Sequence, residues 1–229
     1  MAYKQLIYEK KDRIAYITLN RPHRLNALHP LLGAEMREAF SDFRDDPELW
    51  VAILTGAGDR AFSAGADLKW VAGIREEGEE EPPQQQGQVS LGEFEKHFDY
   101  WKPIIAAVNG FALAGGWSIA QMCDVRIAAE GAKLGITETK WSLLPPFGTI
   151  LPKMLPLSAV LELVFTAQPV TAQRAYEMGF LNKVVPADQL MPEALALANQ
   201  IAENAPLAVQ YFKELAYRGL NMSTHDISS

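Results

Sequence analysis

The sequence predicts an α/β fold that ends in a helical region. Three observations carry this. Short apolar runs alternate with stretches of helical spacing to about residue 186, helical spacing then occupies 187–218 on either side of Pro206, and a buried-strand run at 104–108 leads into a turn holding Gly110, Gly115 and Gly116. With 229 residues and 48% hydrophobic composition, the chain can fill one sizeable core. The expected organisation is a core over residues 1–186 and a C-terminal helical region over 187–229. The polar run 221–229 carries no cap, so that region looks incomplete.

In chain order, residues 3–8 and 13–19 read as a β-hairpin around the charged turn Glu9 to Asp12, and Arg21-Pro22 closes the second strand. From Pro30 to Arg44 the positions Leu32, Met36, Ala39, Phe40 and Phe43 recur at helical spacing. Trp50 to Leu54 is a buried-strand candidate. The following TGAGDRAFSAGAD is so rich in glycine and alanine that it reads as a loop that something approaches closely. Residues 75–90 turn acidic and rich in Pro and Gln, the composition of a surface loop. Helical spacing resumes through Leu91, Phe94, Phe98 and Trp101, and Ile104 to Val108 and Val125 to Ala129 are buried strands. Helices at about 157–166 and 171–178 flank a break at Pro169, Phe180 to Val185 is a last strand, and two helices follow.

Composition removes several function classes. A net charge of -7 disfavours nucleic acid and anionic membrane as partners. One cysteine, Cys123, excludes an intrachain disulfide framework and fits a reducing compartment. The N-terminal MAYKQLIYEKKDR is too charged for a secretory signal, and no apolar stretch approaches the ~20 residues that span a bilayer, so a soluble cytoplasmic protein is expected. The four histidines are scattered and HExxH is absent, so no metal site is expected. Gly56 and Gly58 begin a dinucleotide fingerprint that fails at Ala61.

The chemistry concentrates between Lys102 and Glu138. Gly116-Trp117-Ser118-Ile119-Ala120 approximates a nucleophile elbow but lacks its final glycine, and His225 lies in a polar tail; a small polar residue lining a pocket or capping a turn is the competing reading of Ser118. Two glycine- and alanine-rich loops, Ser63 to Asp67 and Ala114 to Gly116, each follow a strand-like run and could present N–H groups at one sheet edge. Two converging N–H groups would make an oxyanion hole, a single donor of which is worth roughly 3 kcal/mol. Tight turns alone would also explain either loop.

The segments LNRPHRLNAL, AFSAGADLKW and KPIIAAVNGFALAGG, followed by MCD and the acid Glu138, resemble the crotonase (enoyl-CoA hydratase/isomerase) superfamily in order and spacing. The resemblance spans roughly residues 3–220. It implies a spiral of ββα repeats, homotrimers or dimers of trimers with 187–229 as the oligomerisation region, and an acyl-CoA substrate, with coenzyme A as part of that substrate and no separate cofactor. It implies that the Ala66 and Gly115 N–H groups hold the thioester oxygen and that Glu138 moves protons. Ala64 and the run Asp67, Leu68 and Lys69 would border the acyl-CoA, Asp67 through its backbone while its side chain caps a helix. The backbone around Asn26, Ala27 and Leu28 would lie near the nucleotide end, with His23 and Arg24 as candidates for its phosphates; solvated loop residues are the alternative. Asp124 reads as structural.

The family's hydratases use two glutamates, and the first position here is Ser118. That leaves Glu138 as single general acid/base, an arrangement that resembles the family's isomerases and also allows hydration if Ser118 only positions water. Acyl-CoA hydrolysis, decarboxylation and non-catalytic acyl-CoA binding are the rivals. Trp141, Trp117 and Phe147 would narrow an acyl pocket or pack in the core. A glutamate in an apolar pocket should have a raised pKa.

Overall fold

The computed structural model describes residues 3–74 and 100–220. The acidic stretch 75–90, most of the segment Leu91 to Trp101, and His225 with the polar tail lie outside the described residues.

The chain opens with β1 (Leu6–Lys11) and β2 (Ile14–Leu19), an antiparallel hairpin. Its turn is Asp12-Arg13, both with positive φ (51° and 67°), the backbone twist that two-residue hairpins favour. The turn is therefore shorter and later than expected, because Glu9 and Lys10 still pair with Tyr16 and Ala15. Helix α1 (Pro30–Asp45) starts with proline at its first turn, and the His29 ring nitrogen accepts the Leu31 N–H at 3.2 Å. At its far end the buried Lys102 ammonium donates to the carbonyls of Phe43 and Asp46, at 2.8 and 2.6 Å. Next come β3 (Val51–Gly56), β4 (Ala61–Ser63) and the single-turn α2 (Leu68–Val71). Then follow β5 (Ile104–Val108), β6 (Phe111–Leu113), α3 (Gly115–Met122), β7 (Val125–Ala129) and β8 (Lys133–Gly135). The last part holds α4 (Leu151–Met154), α5 (Leu157–Thr166), β9 (Val170–Thr171), α6 (Ala172–Glu177), β10 (Lys183–Val185), α7 (Leu190–Ala202) and α8 (Pro206–Gly219).

These strands build two sheets. The larger has the order β1-β2-β3-β5-β7-β10 and is parallel beyond the first hairpin. The smaller has the order β4-β6-β8-β9, with its first three strands parallel. The chain therefore passes from a large-sheet strand to a small-sheet strand and on to a helix or turn: β3-β4-α2, β5-β6-α3, then β7-β8 and a helical turn at Glu138–Trp141. That is the expected ββα spiral, although no repeat is visible in the residues themselves.

Alternation along β3 shows why its run is continuously apolar. Ala52 and Leu54 pack into a core with Leu32, Met36, Phe40 and Phe43 of α1 and with Trp117, while Val51 and Ile53 join Ile105, Ala107 and Ile127 on the other face. Leu190, Ala194 and Ala198 of α7 close that second face. The helical stretch after 187 therefore begins packed on the core, through α7.

Candidate active site

Three sequence-predicted residues emerge from one edge. β4, β6 and β8 lie side by side and run in the same direction, so their C-terminal ends share an edge at the ~5 Å spacing of neighbouring strands. Ala66 lies three residues beyond β4, Gly115 two beyond β6 and Glu138 three beyond β8. The Ala114 N–H donates to the Gly135 carbonyl at 2.9 Å, tying the second corner to the third.

The first two corners also touch. A Cβ added to Gly65, whose φ is +88°, would lie 3.1 Å from the Gly115 nitrogen, and one on Gly116 would run into the Ser63 carbonyl. Glycine at these positions is what lets the loops interlock. Gly115 is the first residue of α3, and the first amide to close a turn in this helix is that of Ser118, on the Ala114 carbonyl at 3.1 Å. The Gly115 N–H thus has no acceptor within its helix and sits at the positive end of the dipole. Ala114 holds the preceding turn at φ 51°, ψ −120°, a conformation that costs a non-glycine residue ~1–3 kcal/mol.

The Ala66 amide is aimed by a parallel bridge to Leu28. The Leu28 N–H donates to the Gly65 carbonyl at 2.8 Å, and the Asp67 N–H donates to the Leu28 carbonyl at 3.0 Å. In a trans peptide the carbonyl and N–H point opposite ways, so the Ala66 N–H faces away from Leu28. Ala66 itself is exposed.

Glu138 opens the helical turn after β8 and is half-buried. Its Oε2 has no hydrogen-bond partner among the described residues. Burial raises its carboxyl pKa above the usual 4.5, and hydrogen bonds from its own N–H and that of Thr137 offset this only in part. A raised pKa and an idle oxygen are what proton transfer asks of a carboxyl.

Residues 9–227 match the family described as enoyl-CoA hydratase/isomerase. The chain belongs to that family. It is 36% identical over 222 residues to a crotonyl-CoA hydratase of Syntrophomonas wolfei subsp. wolfei, covering 96% of this chain and 84% of the relative. It is 43% identical over 204 residues to a carnitinyl-CoA dehydratase of Salmonella agona, covering 88% and 76%. Among solved structures, an enoyl-CoA hydratase from Bacillus anthracis superposes with a TM-score of 0.87 at 33% identity, covering 97% of this chain and 86% of that one. The crotonase fold and an enzyme of the enoyl-CoA hydratase/isomerase type, acting on acyl-CoA, follow from this membership.

Within this family frame the remaining candidates divide. Leu68 and Lys69 are exposed, Ala64 is half-buried with its N–H on the Leu25 carbonyl, and Trp141 is 65% exposed beside Glu138. Ala27 and Leu28 are buried, and their amides donate to Arg24 and Gly65, so neither amide is open to a ligand. Leu28 also supports the Ala66 loop, through its parallel bridge to Ala66. Arg24 is half-buried in a helical turn, Pro22–Arg24, and His23 is exposed.

Ser118 is fully buried in α3. Trp117 is also a core residue. It stacks on Phe180 at 3.9 Å and donates to the Gln121 side chain at 3.0 Å, while Gln121 donates to the Phe147 carbonyl at 3.1 Å. Asp124 accepts from the Ile104 amide, Lys213 and Tyr217, tying α8 to the start of β5.

Two side chains to which the sequence assigned no role matter here. Arg21 was assigned only the end of a strand, yet its guanidinium pairs with Asp67 at 2.9 Å in the interior. Asn26 accepts the Arg21 N–H and donates to the carbonyls of Ala57 and Ala61. Their single local signal was a polar residue on each side of a proline turn, too weak to point 40 residues along the chain. No helix among the described residues is long and apolar enough to cross a membrane.

Proposed function

We propose that this enzyme adds water to, or removes it from, the carbons next to the thioester carbonyl of an acyl-CoA through an enolate, with Glu138 as its single acid/base. The observation that carries the reading is the common edge of β4, β6 and β8, from which two aimed amides and one idle carboxylate emerge together. In the hydration direction Glu138 takes a proton from water as the water oxygen bonds to the β carbon. The double-bond electrons move onto the thioester oxygen between the Ala66 and Gly115 N–H groups. Glu138 then returns a proton to the α carbon as the carbonyl re-forms.

A buried Ser118 in place of a first glutamate supports a one-carboxylate mechanism. The names of the relatives, crotonyl-CoA hydratase and carnitinyl-CoA dehydratase, support hydration over double-bond migration. A panel of 2-enoyl, 3-enoyl and branched acyl-CoAs in deuterium oxide, read by mass, identifies the acyl group and tests the reaction. Hydration adds the mass of heavy water; migration of the double bond with deuterium exchange and no added water would overturn the hydratase reading. Release of free coenzyme A would point to hydrolysis instead.

Self-association into trimers is part of the same reading. Its support is the outward stripe of Leu207, Tyr211 and Leu215 with Phe212 on α8, all more than 60% exposed in the single chain. A monomeric sedimentation coefficient at micromolar concentration would overturn it.

A further inference from the structure

We propose that Arg21 and Asp67 are positioning residues whose buried pairing sets the direction of the Ala66 N–H. The inference rests on the oxyanion role just proposed for that amide. β4 is only three residues long, and the loop after it carries Ala66 on an exposed surface, so the strand alone cannot hold the amide still.

The hydrogen bonds show what does. Both peptide planes that flank Ala66 are pinned to Leu28, one through the Gly65 carbonyl and the other through the Asp67 N–H. Arg21 clamps the two sides of that bridge with its two terminal nitrogens. One donates to the carbonyl of Ala27, the residue before Leu28, at 2.8 Å; the other pairs with the carboxylate of Asp67, the residue after Ala66, at 2.9 Å. The side chains are 4% and 6% exposed, so water does not compete for either group. Asp67 spends its remaining oxygen on the Trp70 N–H at 3.2 Å, and Asn26 holds Arg21 by exchanging bonds with its backbone.

The planar guanidinium can serve two acceptors at a fixed angle, which an ammonium on a flexible stem cannot. A buried ion pair of this kind gives little net stability over an apolar pair of the same shape, while it fixes geometry. Here the geometry that it fixes belongs to the amide one residue away.

The test uses Asp67→Asn, which keeps the helix cap, and Arg21→Lys, which keeps the charge. Each is placed in the full chain, alone for kinetics and with Glu138→Gln for spectroscopy. The probe is crotonyl-CoA labelled with carbon-13 at its carbonyl, whose stretching frequency is read by difference infrared spectroscopy when bound. In the Glu138→Gln protein an aimed hole lowers the frequency relative to free ligand. Both positioning variants should return it toward the free value, and with the acyl-CoA that turns over fastest they should lower kcat about tenfold with KM within about threefold.

A purely structural pair would lower the melting temperature and leave the frequency of the bound carbonyl unchanged. A shift retained in both folded variants therefore overturns the positioning role alone. An unshifted carbonyl in the Glu138→Gln protein overturns the oxyanion reading beneath it. Failure of both variants to fold also overturns the positioning role, since the pair would then be a requirement of folding.

Discussion

Asp67 and Glu138 are two carboxylates beyond the ends of small-sheet strands on either side of β6, and their surroundings have made them different groups. Asp67 has both oxygens engaged, one by the Trp70 amide and one by Arg21. Burial pushes its pKa up, but the Trp70 N–H and the Arg21 charge outweigh that, and the acid ends below its usual 3.8. Glu138 has an idle Oε2, and burial holds it above its usual 4.5. Location at the edge therefore does not make an acid reactive. An acid whose lone pairs are all spent stabilises a loop, and one left short of donors in a partly dry place is available for proton transfer.

The largest effect expected of this contrast is on turnover. Glu138→Gln should lower kcat by roughly three powers of ten while the protein stays folded and still binds acyl-CoA, because it removes the proposed proton carrier. Asp67→Asn should cost only about one. Steady-state kinetics on one substrate compares the two, and equal losses would erase the distinction. The kcat/KM profile adds an independent check: activity should fall with acid through a pKa above 4.5, and Asp67→Asn should leave that limb in place.

Stability should rank the acids the other way. Asp67→Ala strands the buried Arg21 and removes the cap of α2, a loss of about 3 kcal/mol by chemical denaturation at neutral pH. Gly116→Val tests the neighbouring corner, where any Cβ meets the Ser63 carbonyl; a loss of about 3 kcal/mol is expected, with kcat falling as the Gly115 amide moves. If Gly116→Val were as stable as the parent, the interlock of the two loops would be wrong.

How far the site could be read from the residues follows from the lengths of its parts. The sixteen-residue α1 and the continuous runs of β3 and β5 are long enough to show a period, and they lie within one or two residues of expectation. β4, β6 and β8 are three residues each, too short for any period, and lay hidden in segments that read as loops or turns. The site hangs on these three, so the residues alone offered two glycine loops, either sharing a sheet edge or merely turning tightly, and an acid; the resemblance chose between those readings. The Asp67 cap was legible because a cap is local. Its partner Arg21 was not, since 46 positions separate them and nothing near Arg21 points to an acid. Trp117 left two readings open, a pocket wall or a core residue. An aromatic beside a glycine turn suggests a pocket wall, and only the stacked Phe180 behind it shows a core residue.

The smallest predicted effect is also the sharpest test of the contrast, because it requires the two acids to move stability in opposite directions. Asp67 is depressed on folding, so its contribution is fully present above 3.8 and is lost as the pH falls through the lower folded value. Glu138 is raised on folding, so its contribution is fully present below 4.5 and is lost as the pH rises through the higher folded value. Above that folded value the protein carries a charged Glu138 that it would hold more easily as the acid. Glu138→Gln removes that burden, and its melting temperature should lie slightly above the parent's at pH 7, with the gap closing below pH 4.5. Asp67→Asn should melt below the parent at pH 7, with its gap narrowing only under pH 3.8. A Glu138→Gln protein less stable than the parent at neutral pH would mean that the carboxylate is holding the turn together, and the division between a structural and a reactive acid would fail.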